Sequence, residues 1–364
     1  MSLRASLLLS LMIAVAGCPK QGTGPDTVDP SEQSARAQAG AEEAAEAREV
    51  DPLCAASPSS GPPSDAGLPG LQATRSGTTL SFPETGDDGP LVFGVLGPIN
   101  EASGRNRIAL ERYRAFFEAE GVDAVIVTGD AGEVAEGIAQ VLGELTRLGR
   151  PVFTIIGNRE CASVYDEGVR AAQEASPLVV NLNAIREVRF PQATLISIPG
   201  HDDPDFITCE SGCRFDGTTV DEAIALARNA PSPAVLVAHG PPRGQGSQAL
   251  DFANTGANVG SEEIRRALDQ GGFAFGVFSN IKEAGARATD STGTTIIPEG
   301  QASQALFLNP GPADMTSWSM NDGKPNHGFA AILSIEDGAG TWKLYRGAPL
   351  TQEERARARA LDAE

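Results

Sequence analysis

Three short apolar runs constrain this chain more than any other feature. Residues 91–96, 124–127 and 152–156 are apolar nearly throughout, and a Gly follows each within a few residues. Strands that do not alternate apolar with polar residues are buried on both faces. Between the runs, apolar residues recur at helical spacing: Ala109, Tyr113, Phe116 and Phe117, then Val134, Ile138, Val141, Leu142, Leu145 and Leu148, closed by Gly149. Strands alternating with amphipathic helices make a sheet covered by helices. Further strands are expected at 177–182, 193–198, 234–238, 273–278, 305–308, 329–335 and 341–345. Val220, Ala223, Ile224 and Ala227 mark another helix, and Ser261 caps one that turns Ile264 and Leu268 inward. The last strands follow one another without helices, so the second half reads as mixed or antiparallel.

The α/β segment occupies 90–347 of the 364 residues, enough for one large core. Before it, residues 1–17 carry one Arg and a short apolar run, too short to span a bilayer and suited to a secretory leader. Val15-Ala16-Gly17-Cys18 resembles a bacterial lipobox, which implies cleavage before Cys18 and acylation of that residue. The expected partner is then a lipid bilayer, in a bacterial cell envelope. Pro19, in place of Asp, leans towards the outer rather than the inner membrane. Residues 18–89 are rich in Pro, Gly, Ser, Ala and acidic residues and read as a flexible linker. Residues 348–364 read as a polar tail, whose Ala/Arg/Glu-rich stretch 351–364 is expected to be a solvated helix or a frayed end. The 48 acidic against 28 basic residues, a net charge of -20, argue against nucleic-acid binding.

With Cys18 lipidated, four cysteines remain in an oxidising compartment. Cys209 and Cys213 lie close in sequence, so a Cys209–Cys213 disulfide is expected, with Cys54–Cys161 as the remaining pair.

Function in open α/β sheets collects at the carboxyl ends of strands. Those ends carry Gly97-Pro98-Ile99-Asn100, Thr128-Gly129-Asp130, Gly157-Asn158-Arg159-Glu160, Gly200-His201-Asp202-Asp203, His239-Gly240-Pro241-Pro242 and Ser279-Asn280-Ile281-Lys282. Asp130, Asn158 and His239 form an O, O and N donor set of the kind hard and borderline cations take. Each also has a plain role open to it: a helix cap, a turn former and a loop histidine.

The order of these turns resembles the calcineurin-like metallophosphoesterases: Gly-Asp after one strand, Gly-Asn after the next, then His-Gly-Pro-Pro, with Asn309-Pro310-Gly311-Pro312 late in the chain. The resemblance covers most of 91–345. It implies a four-layer α/β/β/α sandwich with two mixed sheets, and two divalent metals that activate water against a phosphoester. It also implies losses. The first metal's positions here are Gly97, Ile99, Asp130 and Lys282, three of which are not ligands. The second metal's positions are Asp130, Asn158, His239 and Asn280, and the family's catalytic His is Arg159. The expectation is a catalytically impaired, membrane-anchored relative that keeps one Mn, Fe or Zn site or none. It would bind a phosphate-like ligand or an envelope protein. An active one-metal phosphoester hydrolase and a purely structural envelope protein are the alternatives. Lys282 is expected within ion-pair reach of Asp130, in place of the lost metal, with Arg159 adding positive charge to the same anion pocket.

Overall fold

The computed structural model of the chain describes residues 54–83 and 89–363. The leader, the lipobox and Cys18 lie outside the described residues.

The strands assemble into two mixed sheets. One has six strands, in the order β15 (Ala339–Arg346), β14 (Phe329–Glu336), β4 (Leu91–Leu96), β5 (Ala124–Val127), β6 (Val152–Thr154) and β7 (Val179–Asn181). From β4 to β7 neighbours run parallel, whereas β14 is antiparallel to β4 and to β15. The other sheet has nine strands, ordered β1 (Ser64–Asp65), β2 (Thr74–Ser76), β3 (Thr79–Ser81), β8 (Glu187–Arg189), β9 (Thr194–Ile198), β10 (Ala234–Ala238), β11 (Phe275–Val277), β13 (Leu306–Asn309) and β12 (Arg287–Thr289). Its centre, β9–β10–β11–β13, is parallel.

Alternation along the strands explains the layering. Phe93, Val95, Ile126, Phe153 and Leu333 of the smaller sheet share one core with Leu195, Val235, Val237, Val277 and Leu308 of the larger. Their neighbours Leu96, Val125, Val127, Val152 and Ile332 point the other way, onto α1 (Gly104–Glu120), α2 (Ala135–Thr146) and α3 (Ala162–Ala175). On the far side, Ile196, Ile198, Leu236 and Ala238 meet α4 (Gly217–Arg228) and α5 (Glu262–Gly271). The result is the four-layer α/β/β/α sandwich that the resemblance implies. Runs apolar in every position are required here, because both faces of each sheet are covered.

Three expectations are corrected. Part of the span read as linker, residues 54–83, is folded: β1–β3 extend the larger sheet through β3 against β8, and Leu68 and Leu80 are buried in the inter-sheet core. Few apolar residues suffice there because the rest of the core is supplied from elsewhere. The polar tail contains α6 (Gln352–Leu361), opened by a capping box of Thr351 and Glu354 and seated on α1. Glu354 binds Arg112 through two oxygens, Arg357 binds Glu111, and Ala358 is buried.

The disulfides are Cys54–Cys213 and Cys161–Cys209, not Cys209–Cys213 and Cys54–Cys161. A turn closed by the Gly212 N–H on the Cys209 carbonyl separates the two nearby cysteines. Gly212 pairs with Cys161 in an antiparallel bridge, which brings Cys209 to Cys161. Cys213 lies on the buried side, where the chain at Cys54 reaches it.

Candidate functional site

Strand ends from both sheets converge, because the carboxyl ends of β4, β5 and β6 and those of β9, β10 and β11 open at the same edge of the sandwich. Asp130 follows β5 with φ 56°, after Gly129 at φ 95°. This left-handed pair turns the carboxylate back into the protein. A methyl group on Gly129 would stand 2.6 Å from His239 Nδ1, and one on Gly157 would stand 2.3 Å from Asp130 Oδ1. Both glycines are therefore what lets three loops approach so closely.

Asp130 Oδ1 accepts from the backbone N–H of Asn158 at 3.2 Å and of Arg159 at 3.1 Å. His239, fully buried at the end of β10, places Nε2 3.5 Å from Asp130 Oδ1 and 2.9 Å from Asn158 Oδ1. The Asn158 amide is oriented by its Nδ2, which donates to the Phe206 carbonyl at 2.6 Å. His239 Nδ1 donates to the Thr128 carbonyl at 2.7 Å. A carbonyl only accepts, so that nitrogen carries the proton.

The chemistry of this set is informative. With Nδ1–H committed to Thr128, a neutral His239 turns a lone pair towards the oxygen of Asn158, which is also an acceptor. Two acceptors 2.9 Å apart need a proton or a cation in common. Donor atoms bound to one cation at about 2.0–2.2 Å stand roughly 3–3.5 Å from one another. The separations from His239 Nε2 fall close to that range, and the Nδ1–H···O=C bond is the usual outer support of a ligating histidine. Asp130, Asn158 and His239 thus fit a single divalent cation. Among the described residues no three His, Cys, Asp or Glu side chains are grouped to hold a metal ion. The converging set has two of those types and completes itself with an amide. Asn280, the fourth expected member, lies half-buried beside it, its backbone N–H on the His239 carbonyl at 3.0 Å.

The first-metal positions are closed. A methyl group on Gly97 would lie 2.2 Å from the Gly311 carbonyl oxygen, so the turn at 309–312 fills the space an Asp side chain would need. Ile99 is 1% exposed and belongs to the helix-side core. Lys282 opens a 3-10 turn, Lys282–Ala284, and is buried.

The expected Lys282–Asp130 pair is not formed. Lys282 Nζ lies 4.0 Å from Asp314 Oδ2 and donates to Asn100 Oδ1 at 3.4 Å. Asn100 in turn hydrogen-bonds Asp314. The Asp130 carboxylate takes its hydrogen bonds from the backbone N–H groups of Asn158 and Arg159 instead. Burial pushes the Lys282 ammonium below the usual lysine range, against the opposing pull of Asp314 and then Asp130. Burial likewise raises Asp314, which Lys282 and hydrogen bonds partly offset. Arg159 turns its guanidinium outward to Glu133. Arg159 and Lys282 are thus each directed at a carboxylate of their own, Glu133 and Asp314, and Arg159 makes no side-chain contact with Asp130.

No family model and no curated protein matches this chain. Among solved structures it is similar to TT1561 of Thermus thermophilus, at 11% identity and a TM-score of 0.48, covering 70% of this chain and 98% of that one. It is also similar to a dimetal phosphatase from Danio rerio, at 12% identity and a TM-score of 0.45, over 72% of this chain and all of that one (100%). An archaeal phosphodiesterase is similar at 10% identity and a TM-score of 0.38, over 70% of this chain and 100% of that one.

Two further groups shape the site. Glu160 is fully buried and accepts from Ala131 N at 2.6 Å and Gly157 N at 2.8 Å, tying the Asp130 and Asn158 loops together. Burial, then repulsion by Asp130, pushes its carboxyl up to about 8. Asn100 stands in the first of the strand-end turns that the sequence singles out, without a role assigned to it. Asp314 and Trp318 were not legible as site residues: both lie in a loop, and only Asp314's place shortly after the Asn309-Pro310-Gly311-Pro312 turn hinted at it.

Proposed function

We propose that this chain is an envelope-anchored protein of metallophosphoesterase fold that keeps one divalent-cation site and binds a phosphate-like anion, with phosphoester hydrolysis weak or lost. The convergence of His239 Nε2 on Asn158 Oδ1 at 2.9 Å, both acceptors, carries this reading. Mn, Fe or Zn fits the donor set Asp130, Asn158 and His239. When bound, such a cation supplies Lewis-acid polarisation of a phosphoryl oxygen.

The chain's own residues do the rest. Thr128 holds the His239 tautomer through its carbonyl, and the Phe206 carbonyl holds the Asn158 amide. Glu160 fixes the two loops that carry Asp130 and Asn158. Lys282 brings a positive charge to the side from which Gly97 and Ile99 exclude a second cation. A fixed ammonium attracts phosphate oxygens but supplies no nucleophile, and two-cation clamping of attacking and leaving oxygens has no second partner here. At the position of the family's leaving-group histidine stands Arg159, whose guanidinium stays protonated and binds oxyanions rather than shuttling protons. Binding without efficient turnover follows.

Attachment to the bacterial envelope through acylated Cys18, on the outer rather than the inner membrane, and an envelope protein partner are parts of the same proposal. They are supported by the lipobox-like sequence alone.

The test is metal content and calorimetric titration of purified protein with Mn²⁺ and Zn²⁺. One equivalent bound, and loss of binding in His239→Ala, supports the reading. Two equivalents, or one equivalent retained in His239→Ala, overturns it.

A further inference from the structure

Asn158 is held by a loop from elsewhere in the chain. The Phe206 carbonyl accepts from Asn158 Nδ2 at 2.6 Å, and Thr208 N donates to the Asn158 carbonyl at 2.9 Å. Further along, Ala162 N donates to the Ser211 carbonyl at 2.9 Å, and Gly212 pairs with Cys161. Burial does little to fix this loop. None of residues 204–211 is buried, and Pro204–Phe206 is a single 3-10 turn. The Phe206 ring meets His201, with centroids 5.2 Å apart. Segments with few buried apolar contacts and exposed hydrogen bonds open most easily. The covalent tie is Cys161–Cys209, which joins the loop just beyond Phe206 to the chain just beyond Asn158.

The two disulfides differ in access. Cys213 is buried in the helix-side core, and Cys54 packs against the same core. Cys161 and Cys209 are both half-buried, and the hydroxyl of the exposed Ser211 lies 3.7 Å from Cys209 Sγ. Exchange with a thiol requires approach to a sulfur, so the pair beside the site is the one a reductant reaches first.

We propose that the Cys161–Cys209 disulfide positions Asn158 for its cation, through the Phe206 carbonyl, and that reduction by a dithiol releases this hold and weakens the cation site. The proposal rests on the cation-site reading and adds a control to it. In the reduction a thiolate of the dithiol attacks one cystine sulfur, the Cys161–Cys209 S–S bond breaks, and the second thiol of the reagent closes a disulfide within the reagent. Two electrons pass to the protein, whose sulfurs end as two thiols carrying the two protons the reagent gives up. Residues 204–211 then keep only their hydrogen bonds, and the Asn158 amide is free to turn its oxygen away from His239 Nε2. Loss of an outer partner of a metal ligand costs roughly 10- to 100-fold in affinity.

The experiment titrates Mn²⁺ calorimetrically into the metal-free full chain, into Cys161→Ser with Cys209→Ser, and into Cys54→Ser with Cys213→Ser. Mn²⁺ favours oxygen and nitrogen donors over thiols. Expected is binding roughly 10- to 100-fold weaker without Cys161–Cys209, and close to wild type without Cys54–Cys213. In parallel, wild type is equilibrated with mixtures of reduced and oxidised dithiothreitol, with Mn²⁺ or with a chelator, and its thiols are trapped with iodoacetamide and mapped. Cys161 and Cys209 should be labelled at a lower proportion of reduced reagent than Cys54 and Cys213. Mn²⁺ should raise the proportion they need by the same factor, because linkage is reciprocal. If the first double variant does not fold, this wild-type equilibrium decides. Mn²⁺ that fails to bind wild type overturns the cation-site reading and this proposal with it. Mn²⁺ that binds wild type and Cys161→Ser with Cys209→Ser equally, an equal loss without Cys54–Cys213, or a reduction of Cys161–Cys209 indifferent to Mn²⁺ overturns the positioning role alone. Labelling of Cys54 and Cys213 before Cys161 and Cys209 overturns the release.

Discussion

Gly97 has its missing side chain replaced by the backbone of Gly311: a methyl group there would stand 2.2 Å from the Gly311 carbonyl oxygen. Ligand loss at the first metal position is therefore built into the packing, beyond the change of residue type.

Gly97→Asp should not restore a second cation. The carboxylate would have to displace the turn at 309–312, whose Gly311 N–H binds Asn309 Oδ1 at 2.9 Å. Overpacking of this kind costs about 1–3 kcal/mol or more. The melting temperature should drop by several degrees, with Mn²⁺ stoichiometry no higher than wild type. A stable variant holding one extra cation contradicts this account.

Glu160 makes stability depend on pH. Its folded pKa, about 8, lies above the ordinary glutamate value of 4.5. A raised carboxyl pKa means the folded state holds the proton more tightly. Its contribution is fully present below about pH 4.5 and is lost as pH rises through about 8. In metal-free protein the melting temperature of wild type relative to Glu160→Gln should fall by several degrees between pH 5 and pH 9. A difference that stays constant across that range would show that Glu160 does not titrate there.

The disulfide pairing is checkable by peptide mapping under non-reducing conditions, which should return Cys54–Cys213 and Cys161–Cys209. The first closes a sequence separation of 159 residues and the second one of 48. Chain entropy alone then assigns about 5 and about 4 kcal/mol. Cys54→Ser with Cys213→Ser should lower the melting temperature more than Cys161→Ser with Cys209→Ser. The opposite order would mean that local packing around Cys161, which starts α3 beside Asn158, outweighs loop length.

Cys18→Ser should release the protein from the membrane fraction or leave it unprocessed. Two acyl chains anchor stably where one does not. A wild-type protein that stays unlabelled when cells are fed a fatty-acid probe removes the anchoring proposal.

Much of the molecule was legible in residue order alone. The runs 91–96, 124–127 and 234–238 appear as β4, β5 and β10 at those bounds, because a strand buried on both faces is apolar at every position. Shorter strands such as Glu187–Arg189, between β3 and β9, and Arg287–Thr289, at the sheet edge, were not seen. They carry charged residues and owe their conformation to the neighbour they pair with.

The site divides in the same way. That Asp130, Asn158 and His239 follow strands is a local fact of sequence, and Asp130 and Asn158 end neighbouring parallel strands of one sheet; His239 ends β10 of the other sheet, and only the family resemblance joined it to them. Which carboxylate faces Lys282 was not foreseeable. Asp314 lies 32 residues further along the chain than Lys282, and its place beside the ammonium depends on how the loop after β13 crosses the ends of β4 and β11. The cysteine pairing was hidden for the same reason, since proximity in sequence between Cys209 and Cys213 says nothing of the turn that points them apart. Periodicity and turn chemistry are short-range and determined the elements and their polarity. Contacts between loops from distant strands are set by the whole packed sandwich, and only the tertiary structure decided them.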